Sequence, residues 1–159
     1  MLWIAISVLL VAADQLSKWY VSTHFYLGQS VPVIPDVFHF TYWTNKGAAF
    51  SILPDRRWFF VVFTVLVIGA ILVYVVKKKI TDKAFLLSVT LVIAGAVGNL
   101  IDRVRIGEVI DFFDFCLINF PIFNVADVCV SIGAVILLIS IMRSPSFQSG
   151  KEKKHDQNS

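Results

Sequence analysis

Hydrophobic residues in this chain gather into long runs instead of alternating with polar ones. A membrane-crossing helix needs about 20 mostly apolar residues, within a range of roughly 17–25. Four windows meet or approach that length: 2–21, 58–76, 84–101 and 125–142. The second and third carry no charge. The first is interrupted near its end by Asp14, Gln15 and Lys18, and the fourth carries Asp127 near its start. Their β-branched residues do not indicate strands, because each window is too long for a barrel strand and lacks strict polar alternation. The pattern predicts an all-α membrane protein with four transmembrane helices.

One connecting stretch does alternate. In 37–44, Phe38, Phe40 and Tyr42 fall on one face, and Val37, His39, Thr41 and Trp43 on the other. That is a strand signature, bounded by turn signals at Pro35-Asp36 and Asn45-Lys46-Gly47. Its aromatic residues suit a small β-sheet and loop region at the membrane interface. His39 reads as a hydrogen-bonded or solvated strand residue. Ala48 to Leu53 is apolar and predicts a short surface helix. Residues 1–143 then form a single membrane domain, followed by a polar tail, 144–159.

Composition narrows the class. Hydrophobic residues make up 57% of the chain and charged residues 16%, against about 45–50% and about 25% in soluble domains. An ordinary soluble globule is excluded. Val11-Ala12-Ala13 looks like a signal-peptide cleavage site, but no Lys or Arg precedes the apolar run, so the segment reads as a retained span. Cys116 and Cys129 lack zinc spacing and are too few for a disulfide framework; both read as small hydrophobes.

Charge matters through its placement. Lys77, Lys78, Lys79 and Lys83 lie between spans two and three, and Arg143, Lys151, Lys153 and Lys154 follow span four. Cytoplasmic loops concentrate such residues, so both termini are expected inside and loops 23–57 and 104–124 outside. The net charge is only +3, and no nucleic-acid partner is expected. Of the eleven acids, Asp14, Asp36, Asp55, Asp102, Glu108, Asp111, Asp114 and Asp127 then fall outside or in the outer half of a span. Three spans thus place ionisable groups at one level. Such residues usually face a bundle interior or watered cavity and suggest function. Structural ion pairs and snorkelling side chains are the plainer account of any single one.

No HExxH is present, and His24, His39 and His155 do not cluster, which argues against zinc hydrolysis. A serine mechanism lacks a histidine base; Ser17 and Lys18 are adjacent and point about 100° apart on a helix. Carboxylates remain. Two held close share one proton; the ionised member activates water and the protonated one donates to the developing oxyanion or leaving amine. Asp111 or Asp114 offers one arm, and Asp127 or Asp102 the other. Spacing alone does not choose among them.

Five stretches together resemble one family: Asp14-Gln15-Leu16-Ser17-Lys18; Asn45-Lys46-Gly47-Ala48-Ala49-Phe50-Ser51; Gly95-Ala96-Val97-Gly98-Asn99-Leu100-Ile101-Asp102-Arg103; Gly107-Glu108-Val109-Ile110-Asp111-Phe112; and Phe123-Asn124-Val125-Ala126-Asp127. In order and topology they are similar to the bacterial lipoprotein signal peptidases (signal peptidase II), across residues 1 to 142. Ala94 stands where that family often has glycine. The resemblance implies an aspartic intramembrane endopeptidase of the cytoplasmic membrane, acting near the outer leaflet. Its substrates would be diacylglyceryl-modified prolipoproteins, cut just before the lipidated cysteine. It assigns Asp111 and Asp127 as the catalytic pair and demotes Asp114. Asp14, Lys18, Asn45, Gly47, Asn99, Asp102, Arg103, Asn124 and Ala126 would form the surrounding site. Asn99 and Asn124 would hydrogen-bond the carboxylates or substrate, Arg103 would hold a carboxylate or carbonyl as a two-pronged donor, and Gly47 and Gly98 would permit close backbone approach. Membrane lipid is the other expected partner. The chain is expected to be a monomer, and no metal or organic cofactor is implied.

Three other readings fit less well. A small proton- or cation-coupled transporter would place its acids nearer the midplane, often with internal repeats, and none is visible. A non-enzymatic scaffold would tolerate Asp→Asn at 111 and 127. A presenilin-like protease would carry GxGD, where this chain has Gly-Asn-Leu-Ile-Asp.

Overall fold

The computed structural model describes residues 1–47, 56–118 and 120–143. Four helices, α1 (Leu2–His24), α2 (Arg57–Lys78), α3 (Lys83–Arg105) and α4 (Val125–Arg143), are long and apolar enough to cross a membrane. Three strands accompany them: β1 (Ser30–Ile34), β2 (Phe38–Asn45) and β3 (Val109–Asp114). The expected short helix at Ala48–Leu53 and the tail from residue 144 lie outside the described residues.

Helix limits follow local chemistry. Asp82 caps α3, its carboxylate accepting from Phe85 N at 2.7 Å. α2 ends at Lys79 in a left-handed conformation. α1 runs three residues past the apolar window, to His24. α3 continues past the apolar window to Arg105, so Asp102 and Arg103 sit within its last turns.

α3 is the central element, packed against α1, α2, α4 and β3. Large apolar side chains such as Val62, Leu66 and Val73 on α2 and Val135 and Leu138 on α4 point outward and exposed. That inversion of a soluble core is what a lipid solvent requires. Close packing between helices relies instead on small residues. A Cβ at Gly133 of α4 would sit 2.8 Å from Ser88 O and 2.9 Å from Val92 Cγ2 of α3.

The strands form one antiparallel sheet in the order β1-β2-β3. It caps the bundle at the end where α3 finishes and α4 begins. The predicted strand 37–44 is β2. Phe40 and Tyr42 pack on a small core of Val21, Ile110 and Phe112. The register slips between Phe40 and Trp43. The loop 104–124 holds β3 and a 3-10 turn at Cys116–Ile118. β1 lies in the connection 23–57, ahead of β2. It is exposed throughout and carries Pro32, which suits an edge strand. Both cysteines are free thiols.

Overfilling the α3–α4 contact is expected to be costly. Gly133→Val should destabilise the purified protein by about 1–3 kcal/mol, read as a lower Tm in detergent. Gly69→Ala in α2, where an added Cβ meets nothing within 4 Å, should not lower it.

Candidate active site

The charged residues of α1 are its best-buried ones. Asp14 and Lys18 are each 1% exposed. One helical turn apart, they pair at 2.9 Å. Lys18 Nζ also meets Asp102 Oδ2 at 2.8 Å and donates to Asn99 Oδ1 at 2.9 Å, so its three protons each have an acceptor. Gln15 Nε2 lies 3.1 Å from Asp14 Oδ2, Gly98 O and Asp102 Oδ1. The sequence shows Gln15 only as a polar interruption of the first apolar run. Its position one residue after a buried acid, on a span otherwise apolar, was the available signal.

The network binds helices to the sheet and to each other. Asp14 Oδ1 accepts from Ala126 N at 2.9 Å, supplying a partner for a free N–H in the first turn of α4. A Cβ at Gly98 would stand 2.5 Å from Asp14 Oδ2, so glycine is what lets α1 seat its carboxylate there. Asp102 Oδ2 accepts from Ile110 N at 3.3 Å, which holds β3 beside α3 one residue before Asp111.

Asp127 is placed by the start of α4. Asn124 is the cap: its Oδ1 accepts from Asp127 N at 2.9 Å, and Asp127 Oδ2 accepts from Asn124 N at 3.2 Å. This is a reciprocal capping box with Asn and Asp in the two roles, legible in Asn124-Val125-Ala126-Asp127 but not read there. Asn99 Nδ2 donates to Asp127 Oδ1 at 2.8 Å. Asn124 Nδ2 reaches Asp111 Oδ1 at 2.6 Å, Ile110 O at 3.2 Å and Asn99 Oδ1 at 3.2 Å. The two asparagines thus link both carboxylates to Lys18.

Asp111 and Asp127 line one cavity of about 920 Å³, and no other acid does among the described residues. Asp102 is consumed by Lys18 and Gln15. Asp114, at the far end of β3, accepts from Thr41 Oγ1 at 2.7 Å. Arg103, expected to grip a carboxylate or carbonyl, donates to two backbone carbonyls, Gly47 O at 3.0 Å and Asn99 O at 3.5 Å, with its guanidinium 5.1 Å from the Phe60 ring centroid. It therefore fixes the turn after β2, where Gly47 N donates to Asn45 Oδ1 at 2.9 Å. Asn45 also hydrogen-bonds the Asp111 side chain. Burial first, then the Asp127 charge, push Asp111 up to about 7, while the bonds to Asn124 and Asn45 and the Lys18 charge pull it down. Every residue expected at the site, from Asp14 to Asp127, lies in this connected set.

The family described as signal peptidase (SPase) II matches residues 6–143. Among relatives, the chain is 43% identical over 149 residues to the lipoprotein signal peptidase of Brevibacillus brevis, covering 94% of this chain and 97% of that one. It is 44% identical over 140 residues to that of Streptococcus pyogenes serotype M1, covering 88% and 92%. Two solved bacterial membrane enzyme structures are similar in fold. One has a TM-score of 0.85 at 36% identity, covering 89% of this chain and 87% of that chain; the other has 0.82 at 35%, covering 89% and 93%.

Removing one partner from a buried ion cluster leaves charge uncompensated, at a cost of about 3–5 kcal/mol. Lys18→Met should lower unfolding stability in detergent by that order. Adding Asp14→Asn and Asp102→Asn to it should recover a substantial part, measured by the same denaturation.

Proposed function

The chain belongs to the signal peptidase II family, and from that membership we propose that it is an intramembrane aspartic endopeptidase whose Asp111 and Asp127 cut prolipoprotein signal peptides just before a diacylglyceryl-modified cysteine. One observation carries the reading: these two acids alone among the described residues line the cavity, while the other buried acids are bound elsewhere.

In this reading the pair holds one proton. Two donors and the N-terminal turn of α4 favour charge on Asp127, and the shared proton rests on Asp111. Asp127 takes a proton from water as the water oxygen adds to the scissile carbonyl carbon. Asp111 donates its proton to the carbonyl oxygen. The tetrahedral species collapses as the C–N bond breaks; Asp127 delivers its proton to the leaving nitrogen, and the new hydroxyl returns one to Asp111. Asn45, Asn99 and Asn124 hold the carboxylates in place, and Arg103 keeps the Gly47 turn over them.

The cavity wall supports a lipidated substrate. Ile118, Phe120 and Ile132 line it and are also exposed, so an apolar path runs from the carboxylates to the lipid-facing surface. Acyl chains would lie there. The lysines of 77–83 sit at the bundle end opposite the sheet, which supports cytoplasmic termini and a site near the outer leaflet. A monomer suffices, because all these groups come from one chain.

Asp111→Asn and Asp127→Asn, nearly isosteric, should each abolish cleavage of a diacylglyceryl-modified prolipoprotein by the purified protein while leaving its Tm within a few degrees. Full cleavage by either variant would overturn the assignment. The unlipidated precursor should be cut far more slowly, and equal processing would remove the lipid from the reading.

Because activity requires the proton on Asp111 and its pKa lies at about 7, kcat/KM should fall as pH rises through 7, about tenfold per unit once the acid is ionised. The limb belongs to the coupled pair. A profile flat to pH 9 would contradict it.

A further inference from the structure

The sheet carries a second, half-buried cluster that the peptidase reading leaves unused. A ring nitrogen of His39, a carboxylate oxygen of Asp114 and the sulfur of Cys116 lie within 4.8 Å of one another. They come from β2, β3 and the 3-10 turn, and His39 and Asp114 are directly paired across the strands. The Cys116 thiol lies 3.8 Å from Asp114 O.

A hydroxyl relay orders the protons around them. Thr41 Oγ1 donates to Asp114 Oδ2 at 2.7 Å, and Thr41 and Ser30 hydroxyls are 2.8 Å apart. The Thr41 proton is committed to the carboxylate, so Ser30 donates to Thr41. Ser30 Oγ must then accept from His39 Nδ1, 3.0 Å away. The imidazole is thereby held in its Nδ1–H form, and the lone pair is on Nε2. That Nε2 is buried and has no hydrogen-bond partner among the described residues. A buried acceptor left without a donor is costly, and the arrangement is how proteins prepare a histidine for metal: one nitrogen donates to an oxygen and the other ligates.

We propose that His39 Nε2, Asp114 and Cys116 form a zinc site. Nitrogen, carboxylate and thiolate are all zinc donors, and three protein ligands leave a fourth tetrahedral position for water. A borderline-soft donor set of this kind disfavours Mg²⁺ and Ca²⁺, which take oxygen. The ion clips β2 to β3 and to the 3-10 turn. Phe115 and Ile118, which flank Cys116, line the peptidase cavity, and β3 also carries Asp111, so the ion braces one wall of that cavity. His39, read from the sequence as an ordinary strand residue, becomes a ligand.

The test uses the full chain, purified in detergent and stripped with chelator. Titration with Zn²⁺ should show one saturable equivalent and a rise in Tm. Co²⁺ in its place should give the intense visible bands of a tetrahedral site and a thiolate-to-metal charge-transfer band. Cys116→Ser should abolish the charge-transfer band, and His39→Gln should abolish the stoichiometric binding. Ser30→Ala, which frees the imidazole, should weaken binding about 10- to 100-fold. Cys129→Ser and Asp127→Asn should bind as the parent does. Absence of a saturable equivalent in the parent, a Co²⁺ spectrum without thiolate, or loss of binding in Asp127→Asn with retention in His39→Gln would each overturn the proposal. Cleavage activity does not enter, so the result is independent of the catalytic assignment.

Discussion

Everything at the site depends on one ammonium group. Lys18 Nζ sits between Asp14 and Asp102 with Asn99 as its third acceptor. In a bilayer a lone lysine or aspartate is expensive, and here each charge is tolerable only because the others are within 3 Å. α1 therefore cannot shift or rotate against α3 without exposing charge to hydrocarbon. Packing between apolar helices in lipid gains little from hydrophobicity. A directional, fully satisfied polar cluster supplies the register that greasy surfaces leave loose.

From that anchor the geometry propagates through amides. Asn99 accepts from Lys18 and donates to Asp127. The lysine thus dictates which way the Asn99 carboxamide faces, because its oxygen must turn to the cation. Asn124 repeats the device on the other side, capping α4 while donating to Asp111. Neutral amides suit this position: they orient two acids without adding charge that would ionise both.

The fold was largely legible because lipid imposes a simple pattern. Four apolar runs became four helices, displaced by a few residues where polar ends such as Arg103 and Arg105 continue the helix. β2 was visible from its alternation. β3 was not, because Val109 to Phe112 are buried on both sides and a short continuous run carries no period. β1 was hidden by Pro32 and full exposure. For the site, the sequence showed that acids gather at one level, and a family resemblance selected two of them. It did not show which acid meets which cation. Those partners are set by helices far apart in the chain, as with Ala126 N and Asp14. Gln15 and the Asn124–Asp127 cap escaped for opposite reasons: the first depends on tertiary contact, the second was a local motif overlooked beside the chemistry.

The bond from Asp14 to the first turn of α4 joins the beginning of translation to its end. When α1 enters the bilayer, α3 and α4 have not been made, and its aspartate and lysine have only each other. That internal neutralisation lets the first span reside in the membrane while it waits. Asp102 arrives with α3, and the backbone of α4 comes last. The cavity is thus finished only when the final span is in place, and a chain cut before α4 would lack Asp127 together with the backbone that Asp14 holds.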